Sequence, residues 1–149
     1  MHIRQYAYFA LFSSHTPAAE MTASLGLEPD ETAIRGSRRT EPDAVPVQHS
    51  WKIVCRDPAL RVDEQIAHII ARLTPHTAAI AALARRLHAE DENAGAVLEV
   101  VRYFNDEEPD ATGETLSLFG WHLDRDLLDF LHATGAALHV DEYDLTPDV

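Results

Sequence analysis

Residues 5–12 read Gln5-Tyr6-Ala7-Tyr8-Phe9-Ala10-Leu11-Phe12, and this stretch decides the fold class. In an extended chain successive side chains point to opposite faces, so Tyr6, Tyr8, Ala10 and Phe12 share one face and Ala7, Phe9 and Leu11 the other. Apolar residues on both faces predict a central strand covered on both sides. Downstream, Thr16-Pro17 predicts a helix start, with the hydroxyl capping free amides and Ala18, Met21 and Leu25 following at helical spacing; Gly26 ends it. Trp51, Ile53 and Cys55 alternate with Lys52, Val54 and Arg56, the pattern of a strand with one better buried face. Val62, Ile66, Ile69, Ile70 and Leu73 form one helical stripe and, after a restart at Thr74-Pro75, Ile80, Leu83 and Leu87 form a second. Strands are further expected over 97–104, 115–119 and 136–143. A last helix is expected over Arg125–Thr134, capped by Asp124, stapled by Leu123 and Leu128 and stopped by Gly135.

Strands and helices in this order lack the strict alternation of a parallel doubly wound fold. The expectation is one α+β domain over residues 1–149, with a mixed or antiparallel sheet of about five strands packed against helices, a ferredoxin-like variant. Between residues 28 and 48 charged and turn-forming clusters predict a long irregular loop, the first place to look for a site.

Composition narrows the function classes. Hydrophobic residues make up 46% and charged residues 25% of the chain, which argues against disorder. No signal-peptide pattern opens the sequence and no uninterrupted apolar run reaches the length of a membrane span, so a cytosolic protein is expected. Cys55 is the only cysteine, which excludes an internal disulfide and a cysteine-built zinc site, and it is expected to be a buried, inert thiol. The net charge of −13 is uneven: residues 1–62 carry seven acidic and seven basic side chains, residues 63–149 eighteen and five. Such a field repels nucleic acid and anionic lipid and attracts basic partners.

The strand Tyr6-Ala7-Tyr8-Phe9, then Leu25-Gly26-Leu27-Glu28-Pro29, Arg35-Gly36, Ser50-Trp51 and the closing Asp141-Glu142-Tyr143 occur in an order that resembles the bacterial domain-of-unknown-function 4279 family. The resemblance spans nearly the whole chain. It implies an α+β layout and a bacterial origin, and it transfers no catalytic residues, because no activity is assigned to that family.

Nine histidines, at 2, 15, 49, 68, 76, 88, 122, 132 and 139, include no pair at the four-residue spacing of helical zinc motifs, so no metal and no cofactor are expected. The best local cluster is His122, Asp124 and Asp126, conceivably joined by His139 and Asp141, which share a strand face with Tyr143. Arg35, Arg38 and Arg39, upstream of Trp51, form the only basic concentration, and guanidinium forks suit carboxylates or phosphates. These residues give two functional expectations. One is a non-catalytic domain, immunity-like, that neutralises a basic bacterial protein through Asp106, Glu107, Glu108 and Asp110 in an acidic turn. The alternative is a small-anion or enzymatic domain, with Arg35, Arg38 and Arg39 holding the anion near Trp51, or His139 and Asp141 moving a proton. A self-associating module would instead need a symmetric apolar interface. The sequence leaves the oligomeric state open.

Overall fold

A computed structural model describes residues 2–37, 45–106 and 119–148. Five strands form one mixed sheet: β1 (Ile3–Ser13), β2 (Glu31–Ala33), β3 (His49–Cys55), β4 (Gly95–Phe104) and β5 (Ala137–Asp144). Their spatial order is β2-β3-β1-β4-β5, with β1 antiparallel to both β3 and β4 and β5 parallel to β4. Helices α1 (Ala18–Leu25), α2 (Val62–Leu73), α3 (Thr77–Glu90) and α4 (Arg125–Thr134) complete the α+β fold. α2 and α3 are joined by the 3₁₀ turn Thr74–His76, where Pro75 has no amide hydrogen to continue the ladder.

The stretch 5–12 lies in the central strand, as its apolar character requires. Among the described residues the helices cover one side only, where a cover on both sides was expected. Ala7, Phe9 and Leu11 of β1, Trp51 and Ile53 of β3, and Ala96, Leu98 and Val100 of β4 meet Met21, Ile66, Ile69, Ile80, Leu83, Leu87 and Phe130 in a single core. Phe130 sets its ring edge against Phe9 at 5.5 Å between centroids. Tyr6, Tyr8 and Phe12 are half-buried on the opposite, open face, and half-buried Cys55 faces the core. Val62–Glu90 is long and apolar enough, by length and composition, to cross a membrane. Its apolar stripes are instead the helix half of this core, with Arg72, Arg85 and Arg86 outward.

The end of one helix follows its sequence signal. Asp124 Oδ1 accepts the Leu127 amide at 2.8 Å, and Gly135 closes α4 at φ 67°, a conformation that favours glycine. Removing the cap with Asp124→Ala is expected to cost about 1 kcal/mol, read as a lower midpoint in urea denaturation. Thr16 departs from expectation: its hydroxyl donates to Glu90 Oε2 at 3.1 Å, tying the start of α1 to the end of α3 rather than capping α1. The segment expected as a long loop contains β2, which pairs Glu31 with Lys52 and Ala33 with Ser50. The strand expected over 115–119 lies outside the described residues except Phe119, which is in no regular element.

Candidate functional site

The open face of the sheet is built from alternate residues of four strands. The ladder places Tyr6, Val101 and Asp141 in one row, with Arg56 just past the end of β3 beside it, and Val54, Tyr8, Glu99 and His139 in the next. Each tyrosine of β1 carries a cation: Arg56 lies over Tyr6 at 4.3 Å and Lys52 over Tyr8 at 4.3 Å. Arg4 lies over Tyr103 at 4.2 Å, and Tyr103 stacks on Tyr143 at 5.2 Å. Glu99 sits in the middle, 8% exposed, with His139 Nδ1 3.6 Å from its Oε2 and Asp141 hydrogen-bonded to its carboxyl. Burial, then that hydrogen bond and the Asp141 charge, push Glu99 up to about 7, against the pull of His139 and Lys52. Burial and the neighbouring Glu99 push the Tyr8 phenol up as well. Glu99 therefore keeps its proton to a higher pH than an ordinary carboxyl. Beside it, a cavity of about 340 Å³ is lined by Tyr8, Phe12, Val47, Ser50, Lys52 and Val97 among others.

The second feature lies in the helix layer. α2 and α4 flank a groove of about 680 Å³ whose floor includes Ile66, Ala67, Ile70, Leu127 and Phe130. Asp63, Glu64, Asp124, Asp126 and Asp129 stand around it, and His122 is the one lining side chain that becomes a cation on protonation. Three of the carboxylates already have local duties. Asp63 receives Arg61 at 3.1 Å and His122 at 3.3 Å, Glu64 accepts the Arg61 amide at 2.8 Å, and Asp124 caps α4. Asp126 and Asp129 point outward from the first turns of α4.

The residues expected to act together do not all meet. His139 and Asp141 converge, with Glu99 between them, but His122 and Asp124 are on the helix side with α2 and α4. Trp51 is fully buried, donating Nε1–H to Thr22 Oγ1 at 3.2 Å, and cannot offer a face to a ligand. Arg35 donates to the Ser14 carbonyl at 3.3 Å, and its amide donates to His49 Nδ1 at 3.0 Å. Arg38 and Arg39 lie outside the described residues, as do Glu107, Glu108 and Asp110. Asp106 is buried against Arg4 rather than presented in an acidic turn, because it completes the ion pair that closes the end of β1 and β4. Among the described residues no three His, Cys, Asp or Glu side chains form a metal-binding group. His76 and His88 serve the fold, each with Nδ1 3.2 Å from a main-chain carbonyl, those of Leu25 and Ala94.

Sequence reasoning passed over Glu99 and the α2–α4 groove. The signal for Glu99 was present, since Val97-Leu98-Glu99-Val100-Val101 sets a lone carboxyl inside an apolar strand. Of the groove only one wall was marked, by His122, Asp124 and Asp126, because the facing wall on α2 is about sixty residues earlier in sequence. No curated protein and no solved structure matches this chain. A family model described as "Domain of unknown function (DUF4279)" matches residues 3–145, nearly the whole length, and the chain belongs to that family.

Proposed function

We propose that this domain is a non-catalytic protein-binding module, immunity-like in action, that takes a basic amphipathic segment of a bacterial partner into the α2–α4 groove. One observation carries the reading: a groove with an apolar floor, ringed by five carboxylates and with no lysine or arginine among its described lining residues. The floor supplies affinity by excluding water, and the carboxylates select a partner with cations flanking its apolar stripe. The charge of the C-terminal part, eighteen acidic against five basic residues, steers the encounter at long range. Both partners would meet in the cytosol, a setting that suits a chain with one cysteine.

A helical peptide of alternating leucine and lysine turns is a direct probe, with a glutamate-for-lysine peptide as control. The cationic peptide is expected to bind and to lose roughly tenfold or more in affinity between about 50 and about 300 mM salt. Asp126→Lys with Asp129→Lys is expected to cost at least about tenfold, and Ala67→Arg, which fills the exposed floor, a similar factor. Equal binding of both peptides, or indifference to all three substitutions, rejects the reading.

A second reading, a small-anion or enzymatic domain, is favoured by the raised Glu99 carboxyl on the open sheet face that also carries the cavity at Lys52. It differs from the sequence expectation in place, moving from the arginine loop to the open sheet face. Binding of an aromatic carboxylate that is lost in Lys52→Met and unchanged in Asp126→Lys with Asp129→Lys distinguishes it from the first.

A further inference from the structure

We infer that β5 is the seat of a second copy of this chain, the two β5 strands pairing antiparallel about a two-fold axis at Val140 so that one sheet runs through both copies. The inference is independent of the groove and its basic partner.

The strand is built for pairing on a side where, among the described residues, the sheet ends. β5 runs for eight residues, Ala137–Asp144, without proline, glycine or lysine, and every one of them is exposed. An edge of that length ordinarily carries proline, a bulge or charges against pairing, and β5 has only the charges of Asp141, Glu142 and Asp144. Leu138 and Val140 point to the helix side of the sheet, yet 37% and 41% of their surfaces are exposed, because the helices pack against β1, β3 and β4. Tyr143 on the open face is 47% exposed.

Main-chain direction fixes which groups are offered. The Leu145 amide donates to the Phe104 carbonyl at 2.9 Å, so Leu145, and by alternation Tyr143, Asp141, His139 and Ala137, direct their amides and carbonyls toward β4. Leu138, Val140, Glu142 and Asp144 direct theirs outward. Antiparallel strands related by a two-fold axis normal to the sheet must therefore set one outward residue opposite another.

Side-chain chemistry then selects the register. Centring on Val140 sets Val140 against Val140 of the second copy on the helix side. On the open face it sets His139 opposite the second copy's Asp141, twice by symmetry. These are non-hydrogen-bonded pairs, whose side chains approach most closely. An imidazole facing a carboxylate forms a hydrogen bond when neutral and an ion pair when protonated, so the match holds in either state. Slipping by two residues one way places Asp141 against Asp141, a like-charge pair. The opposite slip places His139 against His139 and shortens the ladder to 137–141. Charge complementarity thus favours one register of a self-pair, even though the strand also carries Glu142 and Asp144, which an extended basic peptide would answer.

Sedimentation velocity of the full chain over about 1 to 100 μM, at about 150 mM salt, is the test, with hydrogen exchange as its residue-level readout. A monomer–dimer equilibrium is expected, with the amides of Leu138, Val140 and Glu142 gaining protection as concentration rises. Val140→Pro removes an outward amide without touching the β4 ladder and is expected to leave a monomer. Leu138→Glu, which keeps every main-chain donor and sets a second carboxylate opposite the second copy's Glu142, is expected to weaken self-association by at least about tenfold with an unchanged circular dichroism spectrum. A chain that stays monomeric at the highest concentration overturns the inference. So does a dimer indifferent to Leu138→Glu, concentration-dependent protection that falls elsewhere, or a β5 edge protected only on adding a basic peptide.

Discussion

Trp51→Ala is expected to destabilise the domain by roughly 3–5 kcal/mol, a large part of the 5–15 kcal/mol that holds a typical domain together. Trp51 is the largest of the fully buried side chains and lies on β3 opposite Leu11 of the central strand. Its indole donates to Thr22 in the middle of α1, so it fixes that helix to the sheet by shape and by a hydrogen bond at once. α1 has little else to hold it: it is eight residues long, no side chain caps its start, and only Ala18, Met21 and Leu25 are buried along it. Alanine leaves a cavity that the surrounding β-strands cannot collapse into and strands the Thr22 hydroxyl. Trp51→Phe, which keeps a ring and loses the donor, is expected to cost less. Urea denaturation followed by circular dichroism measures both. Wild-type stability of Trp51→Ala would show that the residue lies outside the core and reopen the possibility that it meets a ligand.

The same residue shows what the sequence can and cannot convey. Alternation of Trp51, Ile53 and Cys55 with Lys52, Val54 and Arg56 identified the buried face of β3 correctly, because strand period is a local property. The helical stripes of α2 and α3, the Asp124 cap and the Gly135 stop were legible for that reason too. Thr16 was misread because its competing acceptor, Glu90, is 74 residues away. Tyr6, Tyr8 and Phe12 looked like core because aromatic rings give the same apolar signal whether a helix layer or a row of cations covers them. Only the ladder shows Arg56 and Lys52 lying over the two tyrosines.

The candidate site divided along the same line. His139 and Asp141 were legible as a pair because they sit two apart on one strand. Their partner Glu99 is on β4, forty residues earlier, and only the parallel pairing of β4 with β5 brings it opposite His139. Asp106 was read as a presented charge because acidic residues cluster after it. Its burial depends on Arg4, 102 residues away in sequence, which the antiparallel pairing of β1 and β4 brings to the same end of the sheet.

A domain with Glu99 in the centre of its sheet is expected to lose stability as pH rises through neutrality, relative to Glu99→Gln. The folded protein holds this carboxyl at about 7, whereas the ordinary value, and the one expected in the unfolded chain, is 4.5. Below pH 4.5 the group is protonated in both states and contributes no difference. Between 4.5 and about 7 the unfolded chain releases a proton that the folded chain still retains, so rising pH favours unfolding. Above that window the penalty is complete and no longer grows with pH. Glutamine preserves size and a donor toward Asp141 and carries no titrating group, so it is expected to overtake the wild type across this window and stay ahead above it. Asp141→Asn tests the cause: without the neighbouring charge Glu99 is expected to ionise at lower pH, which moves the window down and shrinks the penalty. Other carboxylates contribute to acid unfolding in all three proteins alike, and the difference between curves cancels them. Urea midpoints for the three proteins from pH 4 to pH 9 decide the matter, and a pH-independent gap between wild type and Glu99→Gln would show that no proton is stored in the sheet.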